Sequence, residues 1–457
     1  MNKIQASNPF FEIYSTPHGT VPFNLIKTEH YAPAIHEGIR RQNGEIDAII
    51  NNPDAPTFEN TIVPYEKSGE LLHRVNTVFG NLLSAETDDE LQELAREIMP
   101  LMSEHENNIS LNEKLFARIK TVYELADKAK LTPEQSKLLE DIYTGFVRNG
   151  ANLQGDAKEQ YRNLCKELSL LTLQFSENTL KETNDYRLVL TEKSQLSGLP
   201  ESAIDAAAET AQEKGVEGWV FTLHAPSYSP FMTYADNRDL RRELYMAYNT
   251  KCTHDNACNN LEIVKKIANI HMEIARLLGY DNFAEYNLKE RMAQNSDTVY
   301  KLLNQLLEAY TPTAQKEYDE VQALARSEEG ADFILMPWDW SYYSQKLKDR
   351  KFSINDEMLR PYFELSKVKE GIFGLASKLY GITFKKNADI PVYHKDVEAY
   401  EVFDKDGTYL AVLYTDFHPR TGKRSGAWMT SYKGQWIDEA SGENSRPHVS
   451  IVMNFTK

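Results

Sequence analysis

Histidine spacing is the first feature of this sequence that could indicate metal chemistry, because the chain carries 11 histidines among 457 residues. A zinc site of the HExxH type needs two histidines one helical turn apart, with the glutamate polarising a zinc-bound water. Only His36 and His105 are followed by glutamate, and the second histidine position holds Arg40 or Ile109. The sequence therefore predicts no catalytic residue and no metal ligand.

Other catalytic motifs are also missing from the sequence. There is no P-loop, no GxGxxG and no GxSxG. His271-Met-Glu273 resembles the start of a deaminase signature, but no Pro-Cys-x-x-Cys follows it. Cys252, His254 and Cys258 supply three soft ligands, whereas a structural zinc site normally needs four. Reduced thiols or core residues are the favoured interpretation of the three cysteines.

Two segments have unusual composition. Residues 337–343 carry four aromatic side chains, which favours an aromatic anchor between domains over a binding site. Residues 416–429 form a basic, glycine-containing segment after a strand, with His418 and Arg420 near its start. Such a segment could hold a carboxylate or the C-terminus of a peptide, or it could be a solvent-exposed turn. The two interpretations stay equally open.

The elements that would position these residues are mostly helices, since the chain has only 21 glycines and 18 prolines. Apolar residues recur at helical spacing over 28–51 and again at Val299, Leu302, Leu303, Leu306 and Tyr310, which predicts a buried stripe. Capping boxes are predicted at Thr87 with Glu90 and at Thr132 with Gln135. Residues 225–231 are predicted to be a loop.

Strands are predicted in a few places. Residues 185–191 and 218–223 suggest a small strand pair, and 397–403 with 409–414 suggest a hairpin around Asp406-Gly407. A third run follows at 449–455. The sequence thus predicts a mainly α fold with a small sheet near its C-terminal end. Residues 1–235 form a mostly helical region with the strand pair, and residues 236–457 form a second region.

Charge and hydropathy exclude some classes of function. The formal net charge of -17 argues against a general nucleic-acid binder, which needs a basic face to neutralise phosphates. No window approaches the length of a membrane-spanning helix, so no membrane partner is predicted. The first residues lack the apolar run of a secretory signal, which favours a cytoplasmic location.

Passages spread along the chain resemble the thimet-oligopeptidase family of zinc metallopeptidases, and most closely its bacterial peptidyl-dipeptidase branch. They include Asn8-Pro9-Phe10, Gly198-Leu199-Pro200-Glu201 and Gly426-Ala427-Trp428-Met429, and the ranges 22–26, 56–61, 219–238, 240–242, 337–343 and 454–457. The resemblance implies a two-lobed, multi-helix peptidase architecture around a channel, with a small sheet near the active site. It also implies Zn²⁺ as cofactor and short peptides as substrates.

The resemblance also implies which part of the family is present. The HExxH helix of the family follows the segment that matches 454–457, so this chain resembles an N-terminal portion with an incomplete catalytic region. The chain alone is predicted to bind no catalytic zinc and to be inactive. Tyr414, His418 and Arg420 are the predicted substrate-binding residues, as part of the channel lining. The alternative is a non-catalytic helical binding or scaffold protein. Self-association through exposed apolar surface is also expected.

Overall fold

The computed structural model describes residues 8–127, 130–438 and 441–455, and helices dominate it. The prediction of a mainly α fold with a small sheet near the C-terminal end is confirmed. The helices are α1 (Thr28–Ile50), α2 (Val63–Lys67), α3 (Glu70–Ala85), α4 (Asp89–Ser110), α5 (Glu113–Leu125), α6 (Pro133–Arg148), α7 (Asp156–Asp185), α8 (Glu201–Glu213), α9 (Ala225–Tyr234), α10 (Arg238–Asn249), α11 (Leu261–Leu277), α12 (Phe283–Leu288), α13 (Ser296–Glu329), α14 (Trp340–Phe352), α15 (Asp356–Leu359) and α16 (Leu365–Tyr380).

The strands form one larger sheet and two small pairs. They are β1 (Leu188–Leu190), β2 (Trp219–Phe221), β3 (Thr383–Lys386), β4 (Val397–Phe403), β5 (Tyr409–Asp416), β6 (Trp428–Lys433), β7 (Trp436–Ile437), β8 (Asn444–Ser445) and β9 (His448–Val452). The five-stranded sheet has the order β3-β4-β5-β9-β6, and only its β5–β9 pairing is parallel. β1 pairs with β2 as predicted, whereas β3 and β6 were not predicted.

The predicted hairpin around Asp406-Gly407 is confirmed. β4 and β5 pair antiparallel, and the Asp404 N–H donates to the Thr408 carbonyl at 2.8 Å across the turn. Gly407 has φ of +84°, a left-handed conformation that glycine adopts without steric cost. The Asp-Gly signal therefore fixed the position of the turn through its backbone requirement.

One face of the larger sheet belongs to the main hydrophobic core. Tyr414 and Val412 of β5 pack there with Tyr31 of α1 and Phe79 of α3. The opposite face carries a smaller cluster in which Phe373 of α16 covers part of the sheet. The sheet therefore joins the first helices of the chain to the last strands through a single core.

Two local predictions were wrong. Residues 225–231 lie in helix α9, because Pro226 occupies the first turn, where no N–H donor is needed, and Phe231 and Met232 are buried. Asp88, not Thr87, caps α4: its carboxylate accepts from the Leu91 N–H at 2.8 Å. The Thr132–Gln135 capping box is confirmed.

The predicted buried stripe of α13 was also wrong. Leu302, Leu303, Leu306 and Tyr310 are exposed, and the buried residues of this helix lie in its last turns. Helical periodicity places apolar residues on one face, but burial needs another element packed against that face. No described element covers the first half of this face.

The boundary predicted at residue 235 stays a prediction. α9 packs against α14, and Arg241 of α10 donates to the Ala235 carbonyl at 2.7 Å. These contacts join the two sides of that boundary. Among the described residues, no helix is both long and apolar enough to cross a membrane.

Candidate functional site

A single buried carboxylate organises the segment that follows β5. Asp416 accepts hydrogen bonds from both terminal nitrogens of Arg420 at 2.8 and 2.7 Å and from Nζ of Lys423 at 2.8 Å. The Tyr393 hydroxyl donates to the same carboxylate at 2.7 Å. The predicted basic segment is therefore neither a free anion site nor a simple exposed turn at these residues, because its two central cations are already paired.

The electrostatics of this cluster follow from burial and pairing. Burial raises the pKa of Asp416, but the hydrogen bonds from Arg420, Lys423 and Tyr393 outweigh it and hold this pKa below its ordinary value. Burial lowers the pKa of Lys423, and Asp416 only partly offsets that effect. The carboxylate is thus the fixed charge that keeps two cations in the protein interior.

The segment is also attached to the turn between α3 and α4. The Thr87 N–H donates to the Gly422 carbonyl at 2.8 Å, and the Arg424 N–H donates to the Ser84 carbonyl at 2.9 Å. A Cβ at Gly422 would lie 2.3 Å from the Thr87 carbonyl oxygen, so only glycine permits this approach. Arg420 further binds Glu86. The segment is therefore held rigidly against the first helices.

The three predicted substrate-binding residues are placed differently from one another. Tyr414 has no exposed surface and packs edge-on against Phe23 and Tyr432. Arg420 is occupied by Asp416 and Glu86, and His418 is half-buried, with its carbonyl accepting from Lys423 at 2.9 Å. Their assignment to substrate binding stays a prediction. Their geometry favours shaping the segment over direct contact with a ligand.

The exposed feature beside this cluster is the outer strand β6. Its first residues follow Gly426, and Nδ2 of Asn454 donates to the Arg424 and Gly426 carbonyls at 3.1 and 2.7 Å. The Met429 side chain is 69% exposed. β6 pairs with β9 on one side only, so the backbone groups on its other side could pair with an extended chain.

Sequence reasoning missed β6 and the central role of Asp416. An acidic residue that ends a strand and precedes basic residues four and seven positions later is a usable signal for such a cluster. β6 has no comparable signal, because its alternation is short and a register shift interrupts it near Ser431. Its identity as a strand depends on pairing with β9.

The other candidate ligands are occupied elsewhere. His254 binds Glu182 through Nδ1 at 2.7 Å, and Cys252 and Cys258 are buried free thiols. His271 stacks on Phe283 with ring centroids 4.0 Å apart. Within residues 8–127, 130–438 and 441–455, no three His, Cys, Asp or Glu side chains form a group that could hold a metal ion.

The aromatic segment 337–343 is organised around a buried carboxylate that pairs with two arginines. Asp339 at its centre is completely buried and binds both Arg238 and Arg241, at 2.7 and 3.0 Å. The Arg241 guanidinium lies over the Tyr342 ring. The segment fastens α10 to α14, which both lie in the predicted second region, so its role as an anchor between domains stays a prediction.

Comparison with known proteins identifies the family. Residues 231–457 match the model of peptidase family M3. The chain is 35% identical over 98% of its length to dipeptidyl carboxypeptidase of Escherichia coli strain K12, and it covers 66% of that protein. It is 32% identical over 99% of its length to oligopeptidase A of Salmonella typhimurium, again covering 66% of the relative.

The chain corresponds to only part of the length of these relatives. The chain spans 66% of the length of each of these two relatives, so about a third of each relative has no counterpart in it. The matches cover nearly all of this chain, including its N-terminal helices. The resemblance to the thimet-oligopeptidase family and its peptidyl-dipeptidase branch is confirmed, and the chain belongs to peptidase family M3.

Proposed function

We propose that this chain supplies the substrate-side framework of a zinc-dependent peptidase that cleaves short peptides and releases C-terminal dipeptides. Membership of peptidase family M3 supports the reaction class, as do the names of its relatives, dipeptidyl carboxypeptidase and oligopeptidase A. The observation that carries the proposal is the one-sided outer strand β6 beside the segment held by Asp416.

A peptide would bind by adding to the sheet as an extended strand. Backbone hydrogen bonds from β6 would supply affinity without demanding a particular sequence, which suits an enzyme for varied short peptides. Arg424 is the candidate for holding a terminal carboxylate: it is exposed, lies over the Trp428 ring, and forms no ion pair with a described residue. Tyr414, His418 and Arg420 would act by shaping this region.

The metal chemistry is not assigned to this chain. Zinc is the cofactor that the family resemblance implies, but the described residues contain no group of three ligands for it, and the sequence has no HExxH. We therefore derive no hydrolytic step from these residues. The proposal is that the chain alone binds peptides and leaves them intact.

The test combines binding, metal content and hydrolysis on the purified chain. A peptide blocked at its N-terminus is incubated with the protein and zinc, products are followed by mass spectrometry, and bound zinc is measured by atomic emission. We expect reversible peptide binding, no stoichiometric zinc and no dipeptide release. One zinc per chain together with dipeptide release would overturn the assignment of inactivity. A complete lack of peptide binding would favour the non-catalytic scaffold alternative.

We further propose that this chain associates with a second copy through its exposed apolar helices. Exposed large apolar side chains are concentrated on α13 and α16, including Leu303, Leu307, Leu375 and Leu379. An apolar face of this extent is typical of an interaction surface, since soluble monomers rarely present one to water.

A further inference from the structure

The outer side of β6 is closed at one end by Asn81 of α3. Nδ2 of Asn81 donates to the Ser431 carbonyl at 3.1 Å, and the Thr430 hydroxyl donates to Oδ1 of Asn81. The amide of Asn81 thus makes hydrogen bonds to two consecutive residues of the strand. A side chain from the first helical core, far away in sequence, occupies an acceptor that an added strand would need.

The same contact reveals which backbone groups remain available. Residues of an antiparallel strand alternate between pairing with their neighbour and pointing both backbone groups away from it. The Ser431 carbonyl points away from β9 toward Asn81, so Met429, two residues earlier, also points its N–H and carbonyl outward. The register shift in β6 lies beyond Ser431 and does not disturb this alternation.

We propose that Asn81 is a specificity-determining residue that limits how far a bound peptide can pair along β6. This inference rests on the proposed function, in which an extended peptide adds to that strand. The ligand class is a short extended peptide, bound through its backbone to the N–H and carbonyl of Met429. Pairing stops before Ser431, because Asn81 already uses the carbonyl there.

The spacing of the strand gives the scale of this limit. Successive outward-facing residues lie about 7 Å apart, which is twice the rise per residue of a strand. A peptide that paired with both Met429 and Ser431 would have to displace the Asn81 amide and its two hydrogen bonds. Peptides with only a few residues beyond Met429 avoid this cost, so the closed end selects against longer extensions on that side.

Hydrogen exchange on the full chain tests the proposal. The probes are an acetylated tetrapeptide amide and an acetylated octapeptide amide of alternating alanine and lysine. In the wild-type chain, both peptides should slow exchange of the Met429 amide and leave the Ser431 amide unchanged. In Asn81→Ala, the octapeptide should also slow exchange at Ser431 and bind at least threefold tighter, whereas tetrapeptide affinity should be unchanged.

Two further variants control for general effects. Thr430→Val removes the hydroxyl that orients Asn81 and should shift exchange at Ser431 in the same direction, even if Asn81→Ala folds poorly. Asn112→Ala, at the start of α5, removes an asparagine cap remote from the sheet and should leave both patterns as in the wild type.

The outcomes separate the two proposals. A Ser431 amide that the octapeptide leaves unprotected in both Asn81→Ala and Thr430→Val, while Met429 is protected in all three proteins, would overturn the role of Asn81 and leave peptide addition to β6 intact. No protection of Met429 by either peptide in the wild type would overturn peptide addition itself.

Discussion

Helices α1 and α13 carry similar apolar patterns but lie in opposite surroundings. In α1, Tyr31, Ile35 and Ile49 are buried, because α3 and α5 pack against that helix. In α13, Leu302 and Leu306 are exposed, and only the last turns pack against α14. The difference teaches that periodicity determines which side chains share a face, whereas the element that covers the face determines burial.

The same contrast extends to the regions around these helices. Residues 28–148 supply most of two contiguous cores, the first of which also includes strands of the larger sheet. Residues 296–380 contain one small cluster, and α16 has no fully buried side chain. The first region has its own partners, while the second presents apolar surface that the described residues leave uncovered.

The largest expected effect is the loss of a core side chain in the first region. Phe79 is completely buried and packs against Tyr31, so Phe79→Ala should reduce the free energy of unfolding by about 3–5 kcal/mol. In the dissociated chain, Leu303→Ala in α13 should cost less than about 1 kcal/mol, since that side chain then contacts water. Urea unfolding followed by circular dichroism measures both. Equal losses in the two variants would show that the face of α13 is covered in solution.

The free energy of unfolding should depend on pH through His448, which is buried in the larger sheet. Burial lowers the pKa of His448 to about 4, and repulsion from the positive charge of Lys433 adds to this shift. The unfolded chain binds a proton near pH 6.5 and the folded chain only near pH 4. Stability should therefore be lost as pH falls through this window, by on the order of 3 kcal/mol at its lower end.

His448→Gln removes this titration and provides the test. As pH falls from 7 to 4, the wild type should lose stability relative to His448→Gln, because the variant has no histidine to protonate at this position. His36→Gln, at an exposed histidine of α1, is the matched control and should run parallel to the wild type. Parallel curves for His448→Gln would mean that water reaches this face of the sheet.

A smaller effect is expected on self-association through the exposed apolar face of α13. Replacing Leu303 and Leu307 by lysine places charges on the exposed face of α13 and should raise the dissociation constant of the self-associated chain at least tenfold, about 1.4 kcal/mol. Sedimentation velocity measures this constant. Leu125→Lys, at an exposed position outside α13 and α16, should leave the dissociation constant unchanged. A wild-type chain that stays monomeric at high concentration would remove the proposal of a second copy.

How much of the molecule could be predicted follows from the range of the interactions involved. The Asp406-Gly407 turn and the Thr132 cap depend on neighbouring residues, and the sequence located both. The strand β6, the exposure of α13 and the pairing of Arg420 with Glu86 depend on residues that meet only after folding. The candidate site belongs mostly to this second class, so only its basic composition was visible.

The smallest expected effect concerns the N-cap of α4, which the sequence wrongly assigned to Thr87. Asp88→Ala removes the carboxylate that accepts from the Leu91 N–H and should reduce the free energy of unfolding by about 1 kcal/mol. Thr87→Ala should cost less, because the Thr87 backbone, not its hydroxyl, bonds to Gly422. Thermal unfolding of the two variants compares them. A larger loss for Thr87→Ala would restore the capping box expected from the sequence, whereas the opposite order would confirm Asp88 as the residue that caps α4.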